Sequence, residues 1–213
     1  MFPALYAILD ASPEFSSESA LSIPEIADRL ADAGVELFQY RDKRGPSRRI
    51  HQNSQALCGR LASRRVRVIV NDRADIAAMT GAGGVHVGQE DLPVEEARKI
   101  CGAGRWVGVS THNLEQLRAA DATSADYIAV GPIFATGTKA NPDPVVGLEF
   151  LRAARHITRK PLVAIGGITV ESAGDVYQAG ADSIAVIRDL MAASDPAQRA
   201  REYLAIAKSK MRG

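Results

Sequence analysis

"YQAGADSIAVI" (residues 177–187) decides the fold. An amphipathic stretch runs out into a small glycine turn, and a short run of apolar residues follows at once. The same helix–turn–strand joint recurs in "LADAGVELFQYR" (30–41), "MTGAGGVHVGQED" (79–91) and "ATSADYIAVGP" (122–132). Gly34, Gly83 and Gly180 suit the position just past a helix end, where φ turns positive and a Cβ is penalised. The strands are continuous apolar runs rather than alternating ones, the pattern of parallel strands covered on both faces.

Eight such runs can be counted, around Leu5–Leu9, Leu37–Arg41, Val66–Val70, Gly84–Gly88, Trp106–Ser110, Tyr127–Gly131, Pro161–Gly166 and Ser183–Ile187. Helical patterns such as "SIPEIADRLADA", "LPVEEARKI" and "LEFLRAARHI" lie between them. Eight strands alternating with helices in 213 residues predict an α/β protein, a (β/α)8 TIM barrel occupying 1–213 as a single domain. The alternative with the same alternation is an open, doubly wound sheet.

Composition narrows the function. With 26 basic and 25 acidic residues, net charge is +1, which gives no electrostatic footprint for nucleic acid or a membrane surface. Cys58 and Cys101 have neither CxxC spacing nor neighbouring histidines, so they read as idle thiols in a reducing compartment. "MFPALYAILDASPEF" has no basic leader and meets an acid at Asp10, unlike a signal peptide. No apolar run approaches the roughly 18 residues needed to span a bilayer. A soluble cytoplasmic protein with small-molecule partners is expected; the surface helices hint at no interface, and a homo-oligomer stays open.

In a barrel of this kind the chemistry sits at the C-terminal ends of the strands. Strand 2 ends in Gln39, Arg41 and Lys43, which period two places on one side, with Tyr40 and Asp42 on the other. Strand 3 ends in Asn71 and Asp72, strand 4 runs on to Asp91, strand 5 ends at Ser110, and strand 8 ends at Ile187 and Arg188. Strand 7 ends in "IGGIT", where Gly166 and Gly167 allow close backbone approach and Thr169 offers an N-cap, a composition suited to an anion. Strand 6 enters "VGPIFATGTKANPDP" (130–144), whose three prolines and two glycines forbid a continuous helix. Such a rim describes a site for a multiply charged phosphate ester with a metal. Asp72 and Asp91 leave adjacent strands, about 4.8 Å apart, and could share one Mg²⁺; each could instead cap the helix after it. Asn113 with Gln116 supplies its own cap, which frees Ser110 for a ligand, a plain buried hydroxyl being the other reading. The four histidines share no metal-ligand spacing, and His86 reads as a satisfied core residue rather than a catalyst. No GxSxG elbow supports acyl chemistry.

"QYRDK", "VNDRADIA", "GVHVGQEDLP", "VGVSTHN", "DYIAVGPIFATGTK", "VAIGGIT" and "AGADSIAVI" resemble, in order and spacing, the thiamine phosphate synthase family over about 180 residues. The resemblance implies a barrel transferase that joins a hydroxymethylpyrimidine diphosphate to a thiazole phosphate, releasing pyrophosphate. It further implies that Gln39, Arg41, Lys43 and Asn71 hold the pyrimidine diphosphate and that Asp72 and Asp91 bind one Mg²⁺. Ser110 and Lys139 would reach the same substrate, making Arg41, Lys43, Ser110 and Lys139 the catalytic set. Thr136, Gly137, Thr138, Gly167 and the turn at Ile187–Arg188 would hold the thiazole phosphate. Two positions depart from the pattern: Arg188 stands where the family more often has serine, and Ala135 where proline is frequent. A thiazole tautomerase-like barrel, which has no use for a diphosphate–metal site, and a non-catalytic phosphate-ligand sensor, for which the sequence offers no partner domain or tail to transmit a signal, are the competing functions.

Overall fold

The computed structural model describes residues 2–12, 21–137 and 143–210. Eight parallel strands close into a barrel in sequence order: β1 (Leu5–Asp10), β2 (Leu37–Arg41), β3 (Arg67–Asn71), β4 (Gly84–Val87), β5 (Trp106–Thr111), β6 (Tyr127–Val130), β7 (Leu162–Ile165) and β8 (Ser183–Val186). β8 pairs back onto β1 through Leu5↔Ile184 to Ala7↔Val186, which removes both edges of an open sheet. Each expected strand is found, displaced by one or two residues at most. Helices α1 (Ile23–Asp32), α2 (Ser47–Leu61), α3 (Ala74–Met79), α4 (Val94–Cys101), α5 (Leu114–Asp121), α6 (Gly147–Ile157) and α7 (Val170–Gln178) connect them. α8 (Arg188–Met191) and α9 (Pro196–Lys210) follow β8, and α9 packs on α7, α1 and α8.

Two cores follow from the strand period. Tyr6, Ile8, Leu37, Ile69, Tyr127, Ala129, Val163 and Ala185 fill the barrel interior. The alternate residues, among them Leu5, Ala7, Leu9, Phe38, Val70, Val85 and Val107, pack outward against helix residues such as Ile26, Leu57 and Leu151. At the N-terminal end Phe2 stacks on Trp106 with centroids 5.0 Å apart, and the Arg67 guanidinium lies 4.0 Å over the same indole. Two strand glycines allow close approach, one of backbone and one of a ring. A Cβ on Gly84 would lie 2.1 Å from the Trp106 carbonyl oxygen, and one on Gly108 would lie 2.0 Å from the Tyr127 ring.

The turn glycines need one correction. Gly34 (φ 99°) and Gly180 (φ 109°) take the positive φ expected, but Gly83 does not. After α3 the positive φ falls on Gly81 (71°), and Gly83 is small for a steric reason: its Cβ would lie 2.4 Å from Arg67 Cγ.

Candidate active site

The C-terminal ends of the strands carry the polar residues. β2 splits its side chains as period two requires. Tyr40 and Asp42 point toward α2, where Asn53 donates to Tyr40 (2.8 Å) and Arg49 Nε donates to Asp42 (2.9 Å). Asp42 also accepts from the Gly45 amide (2.7 Å), closing the loop into α2, and Arg49 together with that amide holds its carboxyl below the ordinary value against the effect of burial. Gln39, Arg41 and Lys43 take the barrel side.

Arg41 and Lys43 each have an acid. Arg41 donates to Asp10, which is fully buried and is its register partner on β1. Asp10 also accepts from the Ser12 amide (2.9 Å). In the sequence Asp10 stands out only as an acid unlike anything in a signal peptide; its pairing needs the β1–β2 register, which no local pattern displays. Lys43 Nζ lies 2.7 Å from Asp72 Oδ2.

Asp72 is the one non-glycine residue with positive φ (61°) among the described residues. Aspartate tolerates that region better than most residues, and such backbone outliers concentrate at functional sites. Its amide donates to the His86 carbonyl oxygen (2.7 Å), extending the β3–β4 ladder by one bond. Neither Asp72 nor Asp91 caps a helix: α3 has Arg73 at its N-cap and α4 has Pro93. Asp91 accepts from the Gly88 amide (2.7 Å) and approaches Asp72 closely enough to interact with it. Burial pushes the Asp72 carboxyl above its ordinary value, the neighbouring Asp91 charge adds to this, and Lys43 opposes both. Two carboxylates crowded together with one lysine form a donor set that fits a hard divalent cation such as Mg²⁺, which takes one or two carboxylates and completes its shell with water and phosphate oxygens. No group of three or more His, Cys, Asp or Glu that could cage a metal occurs among the described residues.

Ser110 is half-buried at the end of β5, and the Asn113 side chain does accept from the Gln116 amide (2.9 Å), so the α5 cap needs nothing from Ser110. Instead Ser110 Oγ lies 2.8 Å from His86 Nε2. Asn71 closes β3 opposite His86. Gly166 (φ 104°) and Gly167 (φ 62°) have the left-handed backbone that glycine permits, and the loop after β6 uses the space: a Cβ on Gly167 would lie 2.4 Å from the Ala135 carbonyl oxygen. Thr169 caps α7 in a capping box with Ser172. Thr136 and Gly137 leave β6 beside this turn, Ile187 and Arg188 open α8, and Arg188 is exposed. Thr138 and Lys139 lie outside the described residues. A hollow of about 430 Å³ lined by Asp32, Glu36, Arg64 and Arg65 lies at the opposite end of the barrel, where the chain enters β2 and β3, away from all of these groups.

Fold and rim together define a (β/α)8-barrel enzyme with paired cations and paired carboxylates at its strand ends. The family model described as thiamine monophosphate synthase matches residues 5–190, and the chain belongs to that family. It is 52% identical over 204 residues to the thiamine-phosphate synthase of Koribacter versatilis, covering 96% of this chain and 95% of that one. It is 44% identical to the thiamine-phosphate synthase of Chloroflexus aurantiacus, over 81% of this chain and 80% of that one. The solved thiamine phosphate pyrophosphorylase of Pyrococcus furiosus superposes with a TM-score of 0.86 at 30% identity, covering 98% and 96% of the two chains. The function is that of a thiamine-phosphate synthase, a transferase of thiamine biosynthesis acting on small molecules. No helix among the described residues is long and apolar enough to cross a membrane.

Proposed function

We propose that the whole chain works as one barrel domain in the cytoplasm and that it forms thiamine monophosphate by a dissociative substitution at the C-terminal rim. The observation that carries this reading is the convergence of Lys43, Asp72 and Asp91 on one spot of the rim, beside the Asp10–Arg41 pair. Arg41 and Lys43 bind the diphosphate of the pyrimidine substrate. Gln39 and Asn71 orient the ring, and Ser110 and Lys139 reach the same molecule. A Mg²⁺ ion held by Asp72 and Asp91 would neutralise charge on the departing diphosphate.

Pyrophosphate leaves readily only where its developing charge is met, and fixed cations in a site shielded from water do this without reorganising during the reaction. The aminopyrimidine carries the positive charge left as its C–O bond breaks. The thiazole nitrogen already has a lone pair, so no general base is required. Thr136, Gly137, Thr138, Gly167 and the Ile187–Arg188 turn hold the thiazole phosphate close to the cation. Thr138 and Lys139 enter this reading through the sequence resemblance alone.

The test supplies both substrates and Mg²⁺ and follows pyrophosphate and thiamine phosphate together, with Asp72→Ala and Lys139→Ala alongside. Equal appearance of the two products, lost in both variants, supports the site. Full activity in Asp72→Ala would remove the carboxylate pair from the mechanism. Pyrophosphate released without thiamine phosphate would locate the fault on the thiazole side.

A further inference from the structure

A continuous line of polar groups crosses the barrel interior beneath the rim. Gln39 Nε2 donates to the Tyr6 hydroxyl (2.8 Å), which lies 3.0 Å from the Tyr127 hydroxyl. The Tyr127 hydroxyl lies 3.0 Å from His86 Nδ1, and His86 Nε2 lies 2.8 Å from Ser110 Oγ. Both tyrosines are buried, as are Gln39 and His86. The line exists because Gly108 faces both His86 and Tyr127 in register, and any Cβ there would collide with the Tyr127 ring.

The chain has a direction, and Gln39 sets it. An amide nitrogen can only donate, so Tyr6 oxygen is an acceptor toward Gln39 and its own proton must go elsewhere. Tyr127 is its one other hydrogen-bond partner among the described residues. If Tyr6 donates to Tyr127, then Tyr127 donates to His86 Nδ1, the imidazole carries its proton on Nε2, and Nε2–H donates to Ser110. Every proton then has an acceptor. In the reverse direction Ser110 donates to Nε2 and Nδ1–H donates to Tyr127, leaving the Tyr6 proton unpaired in a buried core, which folded proteins avoid. Burial holds both phenols well above their ordinary values, so they stay protonated as the forward direction requires.

The two directions present different atoms to a ligand. In the forward one Ser110 Oγ is already accepting, and its hydroxyl proton is left to point into the site. In the reverse one Ser110 would show an incoming anion only lone pairs. We propose that Tyr6, Tyr127 and His86 are positioning residues, a one-way hydrogen-bond chain that fixes the Ser110 hydroxyl as a donor toward the anionic substrate. This rests on the reading of Ser110 given above. It assigns to three residues of the barrel interior an effect on substrate binding that packing alone would not produce.

Two measurements on the full-length protein test it. The first is the histidine ¹⁵N spectrum of the wild type at about pH 8, where imidazole is largely neutral, with the His86 signals identified by their loss in His86→Gln. The Nε2–H tautomer is expected, and the Nδ1–H tautomer would overturn the proposal whatever the variants do. The second is a double-mutant cycle of Tyr127→Phe with Ser110→Ala, read as kcat/KM for the pyrimidine diphosphate, with melting temperatures measured in parallel. Tyr127→Phe is expected to lower kcat/KM about tenfold in the wild-type background and less than about twofold once Ser110 is alanine, since interacting groups are non-additive. Equal losses in both backgrounds would reduce the chain to core packing. Should Tyr127→Phe fail to fold, Tyr6→Phe takes its place in the cycle. Full activity in Ser110→Ala would break the Ser110 assignment itself, an outcome distinct from additivity and from the wrong tautomer.

Discussion

The two ends of the barrel are built from the same eight strands and hold opposite kinds of side chain. At the N-terminal end Phe2 stacks on Trp106, and the Arg67 guanidinium is laid flat over the same indole. At the C-terminal end Asp10 is buried against Arg41, while Asp72 is crowded by Asp91 and held by Lys43. One end lowers the free energy of the folded chain. The other stores unfavourable charge that a ligand can relieve. If this division is right, substitutions at the rim should cost activity and spare stability, and those at the base should do the reverse.

Asp72→Asn should break the comparison most severely. Removing one of two adjacent carboxylates is expected to lower kcat by at least about a hundredfold, the scale of losing one preorganised electrostatic contact. Stability should move the other way. Because the Asp72 carboxyl is raised in the folded state, its ionised form opposes folding. That penalty is absent below the ordinary carboxylate range, where the acid is protonated in both states, and complete above its folded value. Asp72→Asn should therefore melt higher than the metal-free wild type near neutral pH, with the difference vanishing as the solution is acidified. Mg²⁺ should raise Tm in the wild type and not in the variant, as expected of a ligand that binds only the native site. A variant that melts lower at neutral pH would show Lys43–Asp72 to be a structural ion pair.

Trp106→Leu probes the other end. It keeps an apolar side chain but forfeits the stack on Phe2 and the contact with Arg67, an expected cost of about 2 kcal/mol. In a chain of this size that is roughly 4–8 °C in Tm. The kcat should stay within about twofold, because the indole lies at the opposite end of β5 from Ser110. A large loss of kcat with little change in Tm would mean that the base and the rim are not separable.

The same division explains what could be read from the sequence. The barrel was legible because a parallel strand covered on both faces needs an apolar residue at nearly every position, and eight such runs separated by amphipathic stretches leave few alternatives. Arg41, Lys43, Asp72, Asp91 and Ser110 were legible as rim residues because polarity at the end of an apolar run has few structural uses. The chain through Tyr6, Tyr127 and His86 was not. An aromatic residue inside a strand reads as core, and the partners lie 121 and 41 positions apart, so only the closed register brings their hydroxyl and ring nitrogen atoms together. Asp10 was hidden for the same reason, and Gly83 was misread because a steric glycine and a positive-φ glycine look alike in sequence.

The smallest effect is expected at Arg188, where the sequence resemblance would place a serine. The residue opens the short helix α8, and its side chain is exposed. If the thiazole phosphate is held at this turn by backbone amides, the side chain is a peripheral cation, worth at most about 1 kcal/mol under solvent screening. Arg188→Ser should then raise KM for the thiazole phosphate about two- to threefold, leaving kcat and Tm where they were. The increase should shrink as salt is added, because screening removes what an exposed charge contributes. A fall in KM would reverse the argument: a hydroxyl at this position would be a direct ligand of the phosphate, and the arginine a tolerated loss. The salt series separates the two, since an exposed cation's contribution fades with ionic strength and a short hydrogen bond from a hydroxyl does not.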